Sequence, residues 1–575
     1  MRRSAIASKW PLSVWALLCV CVAALSVRVW GTWYGLPYSY HADEYHEVMR
    51  ALQLGTGGFN LDRTGKGGFY FLLFAEYGFY FVALKLLGIV DTAKDFGVLF
   101  VRDPSVFYLM GRLSAALLGV LTVAAVADIG RRAFSANAGL LAALFLAVNV
   151  LHVDLSRVIG VDVPMTFLAT ITLCFGMRII ANGRRADYLG AGLFAGLATT
   201  TKLPAVLLLV PLLIAHGYAV RQSGGGVRAW VTSSELWQTA LAFAGVLVLT
   251  NPLFFGNLLD SVAWLFFAPG SGDTAALSAV ESGPEVLGRQ RPNLYLYYLS
   301  VMRESMGWPL FLLGIGGSLL AIWRRRPVDV MLLSYAIIHY LAVASTSSAT
   351  LYYPRYVLPV IVVMAVLSGR ALAELHGVFM RMSVALAMVV ALAFVVVPVE
   401  HLLDNARILM QEDIRTTAKQ WFETHVPSGR RVLIEGDKIG ADRQTVRLHD
   451  TADGLRRRIN DWRLREPKQA KYLEYQLAAH EGGGYDLVLI QDGSTATLDD
   501  YLAEGVEYFV IRPLALANLR KGGRPDLDLL ESLRTDPRVE LIRRFEGGER
   551  GRLGSIVEVY QRCDLAAMAC SDASP

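Results

Sequence analysis

Eleven stretches of this chain are apolar over a membrane-spanning length or close to it. They lie near 10–30, 106–128, 136–152, 163–181, 187–200, 203–220, 236–252, 306–323, 328–346, 355–372 and 381–399. In lipid only helices and closed barrels satisfy their own backbone, and runs of this length are helical. The pattern predicts a polytopic α-helical membrane protein of about 11 spans. Composition agrees: 54% of the 575 residues are hydrophobic and only 18% charged, too apolar for an ordinary soluble domain. The net charge of +5 is small. Its arginines gather in short loops between apolar runs, which asks for no nucleic-acid partner. The stretch Trp10 to Trp30 is long, and no small-residue cleavage site follows it cleanly, so it reads as a first span and not as a cleaved leader.

A twelfth run, 69–90, holds Glu76 and Lys85 and is crowded with Phe and Tyr. Aromatics of this kind suit the membrane interface. Charge in the loops decides its place. Arg2, Arg3 and Lys9 put the N-terminus in the cytoplasm. If 69–90 does not span, the loops holding Arg131–Arg132, Arg184–Arg185, Arg221–Arg228, Arg324–Arg325–Arg326 and Arg370–Arg381 all fall inside. If it spans, all of them move outside. The expectation is therefore that 69–90 lies along the outer surface, with the N-terminus in and the C-terminus out.

That topology places the first loop (31–105), the loop His152–Asp162, the segment 253–305 and the loop 347–355 on the outer face. The turn Thr199–Lys202 reaches the same face. Residues 1–400 form the membrane domain. From 401 to 575 the chain is charged, with a helix at 413–424 and strands at 431–436, 486–492, 507–513, 539–545 and 555–562. Helical patterns fall near 465–480 and 525–534. This is a soluble α/β domain on the outer side. Cys563 and Cys570 within it would pair if that side is oxidising.

Charge near a membrane is costly and so marks function by default. Five features share the outer face. Asp43 and Glu44 open a helical run that ends at Gly55. A carboxylate in a first turn is stabilised in its ionised form by the helix dipole, and an ionised carboxylate is a base. Adjacent helical residues point about 100° apart, so the two do not face one target equally; Asp43 is the favoured base. The same pair also reads as plain capping. Second, Arg157 and Asp162 flank a short loop, with Asp162 at the N-cap position before Pro164. Third, Lys202 stands between apolar runs, either snorkelling or binding a phosphate. Fourth, Tyr353, Arg355 and Tyr356 stand at the mouth of a span, where Arg suits a phosphate. Fifth, Tyr295, Tyr297, Tyr298, Arg303, Glu304 and Trp308 suit sugar or prenyl contacts, or simple interfacial packing. TGKGG at 64–68 lacks the spacing of a phosphate loop. A metal set of His41, Asp43, His46 and Glu47 is the weaker reading of the acid loop.

Taken in order, HADEYHEVMRAL (41–52), SRVIGVDVPMTF (156–167), TTKLPAVLLLVPLL (200–213) and RYVLPVIVVM (355–364) resemble the C-type membrane glycosyltransferases. The resemblance is to the bacterial relatives of the dolichyl-phosphate-mannose protein mannosyltransferases and of the lipid A aminoarabinose transferase, and it covers about 31–400. The Pro-Pro-Leu segment common in that group is replaced here by GKGGFYFLLFAEYG (65–78). The resemblance implies inverting transfer of a sugar from a polyprenyl-phosphate donor to a hydroxyl on protein, lipid or glycan, at the outer face of the cytoplasmic membrane. It implies Asp43 and Glu44 as the catalytic pair. Lys202, Arg355, Tyr356, Asp162 and Arg157 would hold the donor, and His41, Tyr353 and Arg303 would contact donor or acceptor. No metal and no cofactor are implied. The competing readings are a carrier for a lipid-linked or small solute, which would place charge at mid-depth and repeat its halves, and a sugar-lipid binding protein without chemistry.

Overall fold

The computed structural model describes residues 12–55, 68–251, 292–345, 352–379, 384–437, 440–441, 445–490, 496–513, 526–547 and 554–563. Most of TGKGG, much of 253–305 and Cys570 lie outside them. The first half of the chain is helical: α1 (Leu12–Val29), α2 (Ala42–Leu54), α3 (Gly68–Leu86), α4 (Ala93–Arg102), α5 (Ser105–Ala133), α6 (Ala136–Ala147), α7 (Val150–Leu155), α8 (Asp162–Asn182), α9 (Arg185–Thr201), α10 (Leu209–Gln222), α11 (Val227–Thr232) and α12 (Ser234–Thr250). Four long helices follow among the described residues, Leu294–Arg324, Pro327–Ala344, Leu358–Phe379 and Val384–Leu409.

Seven described helices are long and apolar enough to cross a membrane, and Ser13–Val29 and Ala136–Ala147 are apolar but shorter. The runs expected at 187–200 and 236–252 are α9 and α12, 17 residues each, joined where Thr239 Oγ1 donates to the Tyr188 carbonyl at 3.1 Å. The main core joins α5, α6, α8, α9, Leu294–Arg324, Pro327–Ala344 and Leu358–Phe379, through Val123, Leu146, Leu173, Ala191, Met302, Met331 and Val363. The stretch Pro354–Leu375 is the most enclosed of the seven. By length and composition α3 also belongs to the seven, whereas the loop charges favour a surface position for it. It packs outside the main core, in a separate cluster with α2 and α4 through Val48, Phe69, Leu73, Tyr77, Phe96 and Phe107. The helix Leu294–Arg324 bends at Gly307, whose φ of +73° is left-handed, two residues before Pro309. The bend separates the aromatic segment from the apolar run that follows.

The composition change near 400 falls inside the helix Val384–Leu409. Beyond it, Asp413 caps the helix Ile414–His425 by accepting from the Arg415 amide at 2.9 Å. The strands are β1 (Arg431–Asp437), β2 (Gly440–Ala441), β3 (Asp486–Ile490), β4 (Tyr508–Ile511), β5 (Val539–Phe545) and β6 (Val557–Arg562). β3 and β4 flank β1 in parallel, β6 runs antiparallel to β4, and β5 closes that edge against β6. All five expected strands are present. The short β2 and the six-residue helix Leu498–Ala503 are too short to show a period; the helix Ala452–Arg463 does carry an apolar stripe, Leu455, Ile459 and Trp462, which its many charged residues mask in sequence.

The sheet domain sits against the α2 end of the bundle. Tyr40 Oη and Thr416 Oγ1 are 2.9 Å apart, and the Arg415 guanidinium lies 3.9 Å from the Tyr40 ring centre. Asn405 Nδ2 donates to Asp154 at 2.8 Å. Burial pushes the Asp154 carboxyl up to about 6, against the opposing Arg157 charge and the Asn405 bond.

Candidate active site

Four segments far apart in sequence meet at this end of the bundle. Asp43 lies in the first turn of α2. Asp162 is the first residue of α8; Val161 holds the cap position and makes no side-chain cap bond. The expectation of Asp162 as an N-cap is therefore corrected: Lys202 Nζ takes its carboxylate at 2.5 Å. Lys202 is extended (φ −155°, ψ 125°), breaking the chain between α9 and a 3-10 turn, Leu203–Leu208, whose second residue is Pro204. Arg355 lies on a second 3-10 turn, Pro354–Val357, at the head of the enclosed helix.

These charges form an alternating chain. Arg355 Nη1 donates to Asp43 Oδ2 at 2.5 Å, and its Nε lies 3.7 Å from Asp162 Oδ2. Two carboxylates and two cations thus share one cluster. The Asp162 side chain is 9% exposed and Asp43 32%, so Asp43 is the carboxylate open to an approaching molecule. Aromatic faces support the cations: Lys202 Nζ sits 4.4 Å from the Tyr356 ring centre and the Arg355 guanidinium 4.1 Å from that of Tyr353. Behind the cluster, buried His339 Nε2 lies 3.0 Å from the Tyr356 carbonyl and holds the 3-10 turn in place.

Glu44 has a different environment. It is fully buried, and Arg112 Nε and Nη2 donate to its two oxygens at 2.8 and 2.7 Å. Ser39 Oγ and the Ile159 amide add bonds at 3.1 and 3.0 Å. Arg112 Nη1 also donates to the Thr32 and Tyr34 carbonyls at 2.6 and 2.9 Å. Burial alone would raise the Glu44 carboxyl; Arg112 above all, with His41 and the Ile159 amide, holds it below its ordinary value instead. This clamp pins the α2 N-terminus to α5 and to the loop before α8, and so orients Asp43.

Other expected residues bond elsewhere. Arg157 is buried and donates to the Val27 carbonyl at 3.1 and 2.8 Å and to Asp154 at 3.1 Å. Arg303 pairs with Glu304 at 2.7 Å and stacks on Trp308 at 5.3 Å. His41 caps α2 through backbone alone, and its Nδ1 is buried without a partner. Among the described residues no group of three His, Cys, Asp or Glu is placed to hold a metal ion. Arg112 and His339 escaped the sequence reading. Arg112 carried a usable signal, a charge inside an apolar run; a single histidine in the run at 328–346 did not stand out.

Residues 108–254 match the family model described as dolichyl-phosphate-mannose-protein mannosyltransferase. The chain is similar to membrane glycosyltransferases of this type. The matched span includes Asp162 and Lys202. No curated protein sequence matches the chain. Solved structures to which it is similar include ArnT from Cupriavidus metallidurans bound to undecaprenyl phosphate, at 14% identity over 96% of this chain and 98% of that one, TM-score 0.49. They include the Archaeoglobus fulgidus oligosaccharyltransferase in its apo form, at 14% identity over 96% and 75%, TM-score 0.49. The Saccharomyces cerevisiae protein O-mannosyltransferase Pmt1–Pmt2 complex bound to its sugar donor follows at 18% identity over 45% and 36%, TM-score 0.33.

Proposed function

We propose that the protein transfers a sugar, with inversion, from a polyprenyl-phosphate donor to a hydroxyl acceptor at the extracytoplasmic face of the cytoplasmic membrane. The observation that carries this reading is the Asp43–Arg355–Asp162–Lys202 cluster, one accessible carboxylate beside two cations. The donor's phosphodiester carries one negative charge. As the bond from the anomeric carbon to the phosphate oxygen breaks, the leaving lipid phosphate gains a second. Arg355 and Lys202 stabilise that growing charge. The acceptor oxygen attacks the opposite face of the anomeric carbon while its proton passes to Asp43. An entering phosphate competes with Asp43 for Arg355, which frees the carboxylate to act as base when the donor is in place. Asp162 holds Lys202, and Glu44 acts as a positioning residue through Arg112. The family match to 108–254 supports the same chemistry.

The test follows donor binding and transfer together in purified protein. Asp43→Asn is expected to bind polyprenyl-phosphate sugars while transfer falls about 10²–10⁴-fold, the usual worth of a general base. Lys202→Ala and Arg355→Ala are expected to lose donor binding. Unchanged transfer by Asp43→Asn would overturn the assignment. Binding without transfer by the parent protein to any acceptor would favour a carrier or binding role.

A further inference from the structure

A cavity of about 570 Å³ lies between the bundle and the sheet domain. Tyr38, Ser39 and Tyr45 line it from the α2 side, and Arg102 and Pro104 from the end of α4. His449, Tyr472, Gln476 and Ala479 line it from the sheet domain. Tyr45 follows Asp43 by two residues, about 200° round the helix. The cavity therefore faces the side of α2 away from the reacting carboxylate. Its size suits a small ligand, and an interdomain cleft is a common place for one.

The walls say what that ligand would be. Charges of both signs line it, Arg102 and Arg447 with Glu423, Asp450 and Glu481; Arg102 lies 3.4 Å from Glu481, Lys419 pairs with Glu423, and Arg458, outside the lining, donates to Asp450 at 2.8 Å. Neither sign dominates, so the lining favours neither an anion nor a cation. Tyrosine rings stand among planar polar groups, which fits the C–H faces and hydroxyl edges of a sugar. Gly482, Gly483 and Gly484 border the space without side chains to fill it. We propose that this cavity is a binding site for a neutral oligosaccharide, separate from the reacting centre. Under the transferase reading, on which this role rests, it holds the non-reacting part of a glycan acceptor, engaging both domains at once.

The full-length protein in detergent tests the proposal by calorimetry with neutral trisaccharides of mannose, glucose, galactose and arabinose, and with inorganic phosphate. At least one trisaccharide is expected to bind, and phosphate not to compete. Ala479→Trp, which fills the cavity, is expected to weaken binding about tenfold or more. Gln476→Ala, which removes a polar contact on a half-buried helix face, should weaken it several-fold and keeps the test decisive if the tryptophan variant misfolds. Asp43→Asn should leave the affinity unchanged. The proposal is overturned if no trisaccharide binds, if both cavity variants bind like the parent, or if Asp43→Asn abolishes binding. Trisaccharide binding with full transfer by Asp43→Asn would remove the proposed base assignment and leave this site standing.

Discussion

Asp43 and Glu44 are neighbours in sequence and opposites in environment. One is open beside Arg355; the other is sealed under Arg112. A buried pair that loses one partner leaves an uncompensated charge, at a cost of about 3–5 kcal/mol. Glu44→Gln is therefore expected to lower the unfolding temperature, with transfer falling only as far as Asp43 is displaced. Acid should act on the same bond. The folded-state pKa of Glu44 lies below its ordinary 4.5, so its contribution is complete above that value and is lost as pH falls through the folded pKa. Unfolding temperatures measured from pH 7 down to about 3.5 should show a steeper acid decline in the parent than in Glu44→Gln. Equal declines would sink the clamp. The sequence showed two acids and a likeness to a motif. It did not show which carboxylate was sealed, because Arg112 meets Glu44 across 68 residues.

At the scale of elements, the enclosed helix joins two ends of the bundle. Arg355 heads it, and Arg370 lies fifteen residues on, about 22 Å along the axis. Arg370 is 1% exposed; its Nη1 donates to the fully buried Asp329 at 2.5 Å, and its guanidinium lies 4.5 Å from the Phe134 ring centre. Those contacts lock Leu358–Phe379 to Pro327–Ala344 and to the residue after α5. Asp329→Ala is expected to destabilise the protein by about 3–5 kcal/mol. Donor affinity and turnover in the surviving folded fraction should stay near the parent's. A loss of turnover without a loss of stability would mean that the two ends are coupled. Helix existence was legible where apolar runs were long, because such runs are a strong signal; the shorter helices Ala93–Arg102, Ala452–Arg463 and Leu498–Ala503 were not read. Breaks were less so: the 3-10 turn at 203–208, which follows Lys202, and the one at 354–357, which holds Arg355, showed only as prolines.

At the scale of the whole molecule, loop charge predicts the orientation in the membrane. Alkaline phosphatase fused after residue 411 is expected to be active in a bacterial host, and the same fusion after residue 326 inactive. The reverse pattern would put the cluster on the cytoplasmic side and remove the proposed site of action. The sheet domain sits on the cluster's end of the bundle, tied through Tyr40 to Thr416 and through Asp154 to Asn405. Neither tie was visible in sequence, since each joins residues more than 250 positions apart.

The chain alone settled its solvent and its element types. Apolar length dictates helices in lipid, and alternation dictates strands outside it, because both follow from where each backbone finds hydrogen-bond partners. It also placed the acid, lysine and arginine segments in order. Which charges pair was decided only in three dimensions. Coulomb attraction depends on distance and burial, and those follow from how α2, α8, α9 and the enclosed helix pack. Tertiary structure sent Arg157 to a backbone carbonyl, sealed Glu44, and left Asp43 open beside Arg355.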